Sequence, residues 1–274
     1  QPVYYPFRQV IESNDRKLIS SDLVLKESHY EIDFEDFEAK IKEHQIHLFL
    51  LCSPHNPVGR VWKEWELRKI GEICLKYQVI VVSDEIHSDF VYPGHKHYVF
   101  ASVSPEFEKI SVICTAPSKT FNLAGLQVSN IFIADEKLRR KFVRAVDQAG
   151  YSQVNLMGLV ACQAAYEAGA EWLLQLKEYL SQNLSFVREY LEEKLPQIKL
   201  IEPEGTYLIW LDFEKLGLER KELEALIDRA GLWLDAGAIF GKTGIGFERI
   251  NIACPRKTLE QAFSKLKKAV DELE

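Results

Sequence analysis

Ile46-His-Leu-Phe-Leu-Leu-Cys52, Ser53-Pro-His-Asn-Pro-Val-Gly59 and the stretch from Trp62 to Tyr77 follow one another in the chain, and their order decides the fold class. The first is a short apolar run suited to a buried strand, and the second is a turn cluster of Pro, Asn and Gly. The third places Trp62, Leu67, Ile70, Ile73, Cys74 and Tyr77 at near-helical spacing. Outward from this unit come three more strand-like runs, Val79-Ile-Val-Val82, Ile110-Ser-Val-Ile-Cys114 and Val128-Ser-Asn-Ile-Phe-Ile133. Strands alternating with helices predict crossover connections, hence an α/β fold with a three-layer αβα large domain around a mostly parallel sheet covered on both faces.

From Glu136 the texture turns helical, with patterns over Lys137–Val146, Val154–Ala168 and Glu171 to Leu195, where Pro196 stops the last. Beyond it, Ile198-Lys-Leu-Ile201, Thr206-Tyr-Leu-Ile-Trp-Leu211, Leu232-Trp-Leu234 and Arg249-Ile-Asn-Ile252 read as strands, and Arg220–Ala230 and Thr258–Leu273 as helices. These predict a smaller C-terminal α+β domain, with a boundary near residue 170: 1–170 the large domain, 171–274 the small one.

The 274 residues carry 34 Lys+Arg against 41 Asp+Glu, a formal charge of −7, so a basic nucleic-acid footprint is excluded. Hydrophobic residues at 47% indicate a buried core rather than disorder, and the apolar runs are too short to span a bilayer. Five cysteines without a Cys-x-x-Cys pair predict reduced, mostly buried thiols in a cytoplasmic protein. The opening Gln1-Pro-Val-Tyr-Tyr-Pro-Phe lacks an initiator Met and any targeting pattern, which suggests a trimmed chain. His95-Lys-His97 invites a metal reading, but two alternate histidines without further ligands do not make a site. Gly241–Gly246 lacks the strand-then-helix setting of a phosphate cradle and is expected to line a substrate entrance. The five tryptophans are expected in the core or at a domain interface.

In open parallel sheets ligands bind beyond the carboxyl ends of the strands. Three such ends offer Asn56, then Asp84 and His87, then Ser118 and Lys119. A lysine there can form a Schiff base with an aldehyde, and a carboxylate held against a pyridinium nitrogen makes that ring an electron sink. Lys119 and Asp84 fit that pair. Asn56 suits a donor to the ring's phenolate oxygen, and Ser118 a phosphate contact. Each residue also has a plainer reading: Asp84 as a helix N-cap, Asn56 as a turn initiator, Arg256 as a surface ion pair.

Pro54-His-Asn-Pro-Val-Gly-Arg-Val-Trp62, Ser83-Asp-Glu-Ile-His87, Ala116-Pro-Ser-Lys-Thr-Phe-Asn-Leu-Ala-Gly-Leu-Gln127 and Arg249-Ile-Asn-Ile-Ala-Cys-Pro-Arg256 occur in this order, and the chain resembles class I/II aminotransferase-type enzymes of fold type I that use pyridoxal 5'-phosphate. Within them it is most similar to the cystathionine β-lyase, or cysteine–sulfur lyase, subgroup. The resemblance implies that Lys119 bonds the cofactor aldehyde, Asp84 meets the pyridine nitrogen, Asn56 donates to the phenolate oxygen, Tyr4 stacks on the ring and Arg256 clamps the substrate carboxylate. It also implies a homodimer, a small amino-acid substrate, and a segment before Gln1 carrying a glycine-rich phosphate loop. Two positions depart from the aminotransferase pattern: His87 stands where many members have tyrosine, as in the lyases, and Gln127 where they have a phosphate-binding arginine. The activity expected is carbon–sulfur β-elimination, with transamination as the rival in the same site. A chain lacking its amino-terminal part could instead serve as a non-catalytic binding or regulatory module.

Overall fold

The structure, a computed structural model, describes residues 1–151 and 153–273. It divides into two compact units, one formed by Phe34–Pro54 and Val61–Gln175, the other by Gln1–Asp33, His55–Arg60 and Leu176 onward. The later cut falls inside helix Ala170–Lys194. This is not a single boundary near residue 170, because the first segment and the turn His55–Arg60 group with the C-terminal third.

In the unit built around Phe34–Gln175, strands Leu48–Cys52, Ile80–Asp84, Ser111–Thr115 and Asn130–Phe132 lie side by side in chain order. The first two pairings are parallel and the third is antiparallel. The sheet is therefore mixed, with two parallel pairings out of three. The physical reason is the connection after Ser111–Thr115: it holds only the single turns Pro117–Thr120 and Ala124–Leu126, and it reverses the chain instead of crossing over. Only Glu64–Lys76 is a full helical crossover between parallel strands; the Ile80–Asp84 to Ser111–Thr115 connection carries short 3-10 turns. Glu64–Lys76 buries Leu67, Ile70, Ile73 and Cys74, the stripe that its spacing predicts. Gly71 on this helix lies under Phe107, so close that a Cβ would meet the ring at 2.1 Å, and Phe107 stacks on Phe100 at 5.1 Å.

The other unit holds an antiparallel sheet in the order Lys199–Ile201, Leu208–Asp212, Phe247–Asn251, Asp235–Ala236. The strand read at Leu232–Leu234 is displaced to Asp235–Ala236. Trp210, Phe240 and Phe247 form its aromatic centre, with Trp210 stacked on Phe247 at 5.3 Å. Tyr30 and Val58 join them, which explains why the first segment and the turn His55–Arg60 belong here. Gly59, at φ +71°, lets that turn approach Pro203, where a Cβ would come within 2.8 Å. Arg60 is buried with its Nε on Glu204 at 2.8 Å, and it also donates to the Tyr30 carbonyl.

Burial corrects two composition readings. Trp62 and Trp210 are core residues, but Trp65, Trp172 and Trp233 are exposed, Trp233 at 99%. All five cysteines are free, yet only Cys52 and Cys74 are buried. The glycine-rich Gly241–Gly246 has a packing cause: the turns Gly237–Phe240 and Lys242–Gly244 press backbone on backbone, so a Cβ on Gly237 would meet the Gly244 carbonyl oxygen at 2.0 Å.

Candidate active site

Cys52, Asp84 and Cys114 stand in register at the carboxyl ends of the three parallel strands, so Asp84 occupies the middle of that edge. The strand end is held by Trp62, whose Nε1 donates to the Cys52 carbonyl at 2.8 Å, and by the Ser53 N–H, which donates to the Asp84 carbonyl at 3.0 Å. The Asp84 carboxyl accepts from the Ile86 N–H at 3.3 Å. Burial pushes it up from 3.8 to about 6, against the opposing pull of the Ile86 N–H and the Lys119 charge. Lys119 sits half-buried on the one-turn helix Pro117–Thr120 that follows the next strand. Thr120 beside it donates to Asp89 at 2.6 Å, joining that turn to the loop that carries buried His87. Ser118 accepts at its carbonyl from the Leu123 N–H at 3.1 Å. Gln127 is exposed, in the left-handed region at φ +52°.

Glu85, between Asp84 and His87, joins this cluster although no local pattern marks it. Buried, it accepts from Ser83 Oγ at 2.8 Å and the Phe100 N–H at 3.0 Å, and its other oxygen meets His97 Nε2 at 2.9 Å. It thereby anchors both ends of the His87 loop. His97 is occupied by this pairing, and among the described residues no group of three or more His, Cys, Asp or Glu is placed to hold a metal.

The second unit carries Tyr4, Asn56 and Arg256. Asn56 is buried, and its Oδ1 accepts from an Arg249 terminal nitrogen at 2.8 Å. A guanidinium only donates, so this contact fixes the amide: the carbonyl oxygen faces Arg249 and Nδ2 is the donating end. Tyr4 packs on Tyr5 at 5.6 Å, and both Tyr4 and Arg249 act electrostatically on Tyr207, whose hydroxyl burial pushes up. Arg256 is placed differently. Its Nε donates to Asn183 at 2.9 Å, its backbone N–H donates to the Tyr179 hydroxyl, and its guanidinium lies 4.8 Å over Phe186. All three partners are on helix Ala170–Lys194, so Arg256 pins the start of helix Arg256–Asp271 against it. Asn183, in turn, donates to the carbonyls of Ile252 and Cys254. Arg249, at the other end of the same motif, is the arginine in contact with Asn56, and only the fold distinguishes the two.

A family model described as aminotransferase class I and II matches residues 1–266. The chain belongs to that family. Its relatives in the class I and II aminotransferase family include a protein named cystathionine beta-lyase PatB from Bacillus subtilis, 43% identical over 98% of this chain and 70% of that protein. Protein MalY of Escherichia coli is 32% identical over 98% of this chain and 69% of its own length. Among solved structures, cystalysin from Treponema denticola, which contains pyridoxal 5'-phosphate, superposes with a TM-score of 0.97 at 40% identity, covering 100% of this chain and 70% of that one. A pyridoxal-phosphate-bound C-S lyase from Staphylococcus hominis gives 0.92 at 34% identity, over 98% of this chain and 69% of its own. The fold is thus that of a fold type I pyridoxal-phosphate enzyme, α/β with mixed sheets. Among the described residues no helix is long and apolar enough to cross a membrane.

Proposed function

We propose that this protein is a pyridoxal-phosphate-dependent carbon–sulfur β-lyase acting on cystathionine-type amino acids. The observation that carries the reading is Asp84: a carboxyl at the middle of the sheet's carboxyl edge, raised by burial and under the influence of Lys119, in a chain 43% identical to a cystathionine β-lyase. The residues fit the cofactor. A buried carboxyl whose ionisation is disfavoured is what a cationic ring nitrogen would stabilise, and the Asn56 amide is turned by Arg249 so that Nδ2 donates.

Pyridoxal phosphate, when bound, supplies an electron sink for negative charge at the substrate Cα. Lys119 Nζ would hold the cofactor aldehyde and, once displaced by the substrate amine, would be the base for the Cα proton. By the family resemblance, Asp84 would keep the proton on the ring nitrogen and Asn56 would donate to the ring oxygen, while Tyr4 would stack on the ring, His87 would shape its aldehyde side and Ser118 would contact phosphate. The Cβ–S electrons leave with the thiolate, and hydrolysis of the remainder yields pyruvate and ammonia. For the α-carboxylate, the geometry favours Arg249, which joins Asn56, over Arg256, which is committed to Asn183 and Phe186. The exposed apolar side chains of helix Leu156–Ala168, Leu156 and Met157 foremost, support a homodimer.

The test is pyruvate and thiol release from cystathionine without added 2-oxo acid. Steady release supports the lyase. Turnover that requires a 2-oxo acid and liberates no thiol replaces it with the aminotransferase reading.

A further inference from the structure

We propose that Asp235 is the positioning residue that sets the angle of the Arg249 guanidinium, and through it the fit of the substrate α-carboxylate. The inference rests on the reading of Arg249 as the carboxylate anchor. Asp235 and Arg249 are directly opposed in the antiparallel pairing of Asp235–Ala236 with Phe247–Asn251, so their side chains emerge on one face as cross-strand neighbours. Asp235 Oδ2 accepts from Arg249 Nε at 3.2 Å and from a terminal nitrogen at 2.6 Å. The other terminal nitrogen donates to Asn56 at 2.8 Å, and the guanidinium lies 4.8 Å from the Phe240 ring centre.

Of the five guanidinium N–H groups, these bonds engage three and leave one on each terminal nitrogen, the donor set that a carboxylate takes with two oxygens. The Arg249 side chain is 12% exposed and that of Asp235 42%. Water therefore contributes little to orienting the arginine. Without Asp235, substrate has to order a long side chain that the protein now orders in advance. No local pattern marks Asp235 in the sequence; the register of two strands selects it.

The experiment compares Asp235→Ala, Asp235→Asn and Arg249→Lys in the holoenzyme, each against an S-substituted cysteine and the matching amine that lacks the carboxylate. Calorimetric affinity for L-alanine, which has no leaving group, provides a readout apart from turnover. Asp235→Ala is expected to raise KM for the amino acid on the order of tenfold, to weaken alanine binding in parallel, and to leave kcat and the amine nearly unchanged. Asp235→Asn, which keeps the acceptor oxygen, is expected to recover most of the loss. Tighter amino-acid binding in Asp235→Ala would show that the aspartate competes with substrate, and equal losses in both Asp235 variants would show that charge and not orientation matters; either overturns the inference. If Arg249→Lys does not change the preference for the amino acid over the amine, the anchor reading itself fails. If it abolishes that preference while Asp235→Ala has no effect, the anchor stands and the inference alone falls.

Discussion

Replacing Asp84 with Asn isolates the proton that burial forces onto this carboxyl. The folded protein holds the group at about 6 against an ordinary 3.8, even with the Lys119 charge nearby. Between those two values the native state keeps a proton that the unfolded chain has already lost. The contribution to stability is therefore full below about pH 4, declines as pH rises through 6, and is level above. At about 1.4 kcal/mol per pH unit, the gap sets a ceiling of about 3 kcal/mol, and because Asp84 keeps some contact with water the measured effect is expected nearer about 2 kcal/mol. The assay is urea unfolding of cofactor-free wild type and Asp84→Asn from pH 4 to 8. The difference between the two proteins cancels the titrating groups that do not interact with Asp84 and is expected to fall with rising pH, most steeply between 4 and 6. Adding pyridoxal phosphate is expected to flatten it, since a cation facing Asp84 holds the carboxylate ionised. A difference that stays flat, or that grows with pH in the cofactor-free protein, refutes the reasoning and makes the Lys119 attraction, not desolvation, the stronger force.

Lys119→Ala is expected to abolish pyruvate formation and to leave the thermal unfolding midpoint of the cofactor-free protein nearly unchanged, because the side chain is half-buried on a one-turn helix and not in the core. Assay and melting curve on the same preparation decide it. Arg60→Met is expected to destabilise the fold by about 3–5 kcal/mol, since it leaves Glu204 buried without its guanidinium partner. Denaturant titration checks this, and the double variant Arg60→Met with Glu204→Leu is expected to lose less than the single one.

Much of the candidate site was legible because its residues sit where local pattern ends. Apolar runs of strand length stop at Asp84 and just before Lys119, and the parallel register then lines up Cys52, Asp84 and Cys114 along one edge. Glu85, next to Asp84, carries no such signal, since nothing in Ser-Asp-Glu-Ile-His tells which acid turns inward to Ser83, Phe100 and His97. The tryptophans misled for the complementary reason: aromaticity gives the driving force for burial but not the place, and Trp233 ends fully exposed two residues before Asp235.

The amino-acid sequence by itself determined the alternation of strands and helices, the family, and the placement of an aspartate and a lysine at strand ends, all of which rest on periodicity and motifs a few residues long. The tertiary structure decided what depends on residues far apart in the chain. Asn56 and Arg249, 193 positions apart, are brought together only by the tertiary arrangement of the second unit. That meeting separates Arg249 from Arg256, orients the amide, and draws the turn His55–Arg60 into a unit whose other residues come from both ends of the chain. Hydrogen bonds and burial act at contact distance, whatever the separation along the backbone, so their partners are fixed by strand register and helix packing and are not written in any local stretch.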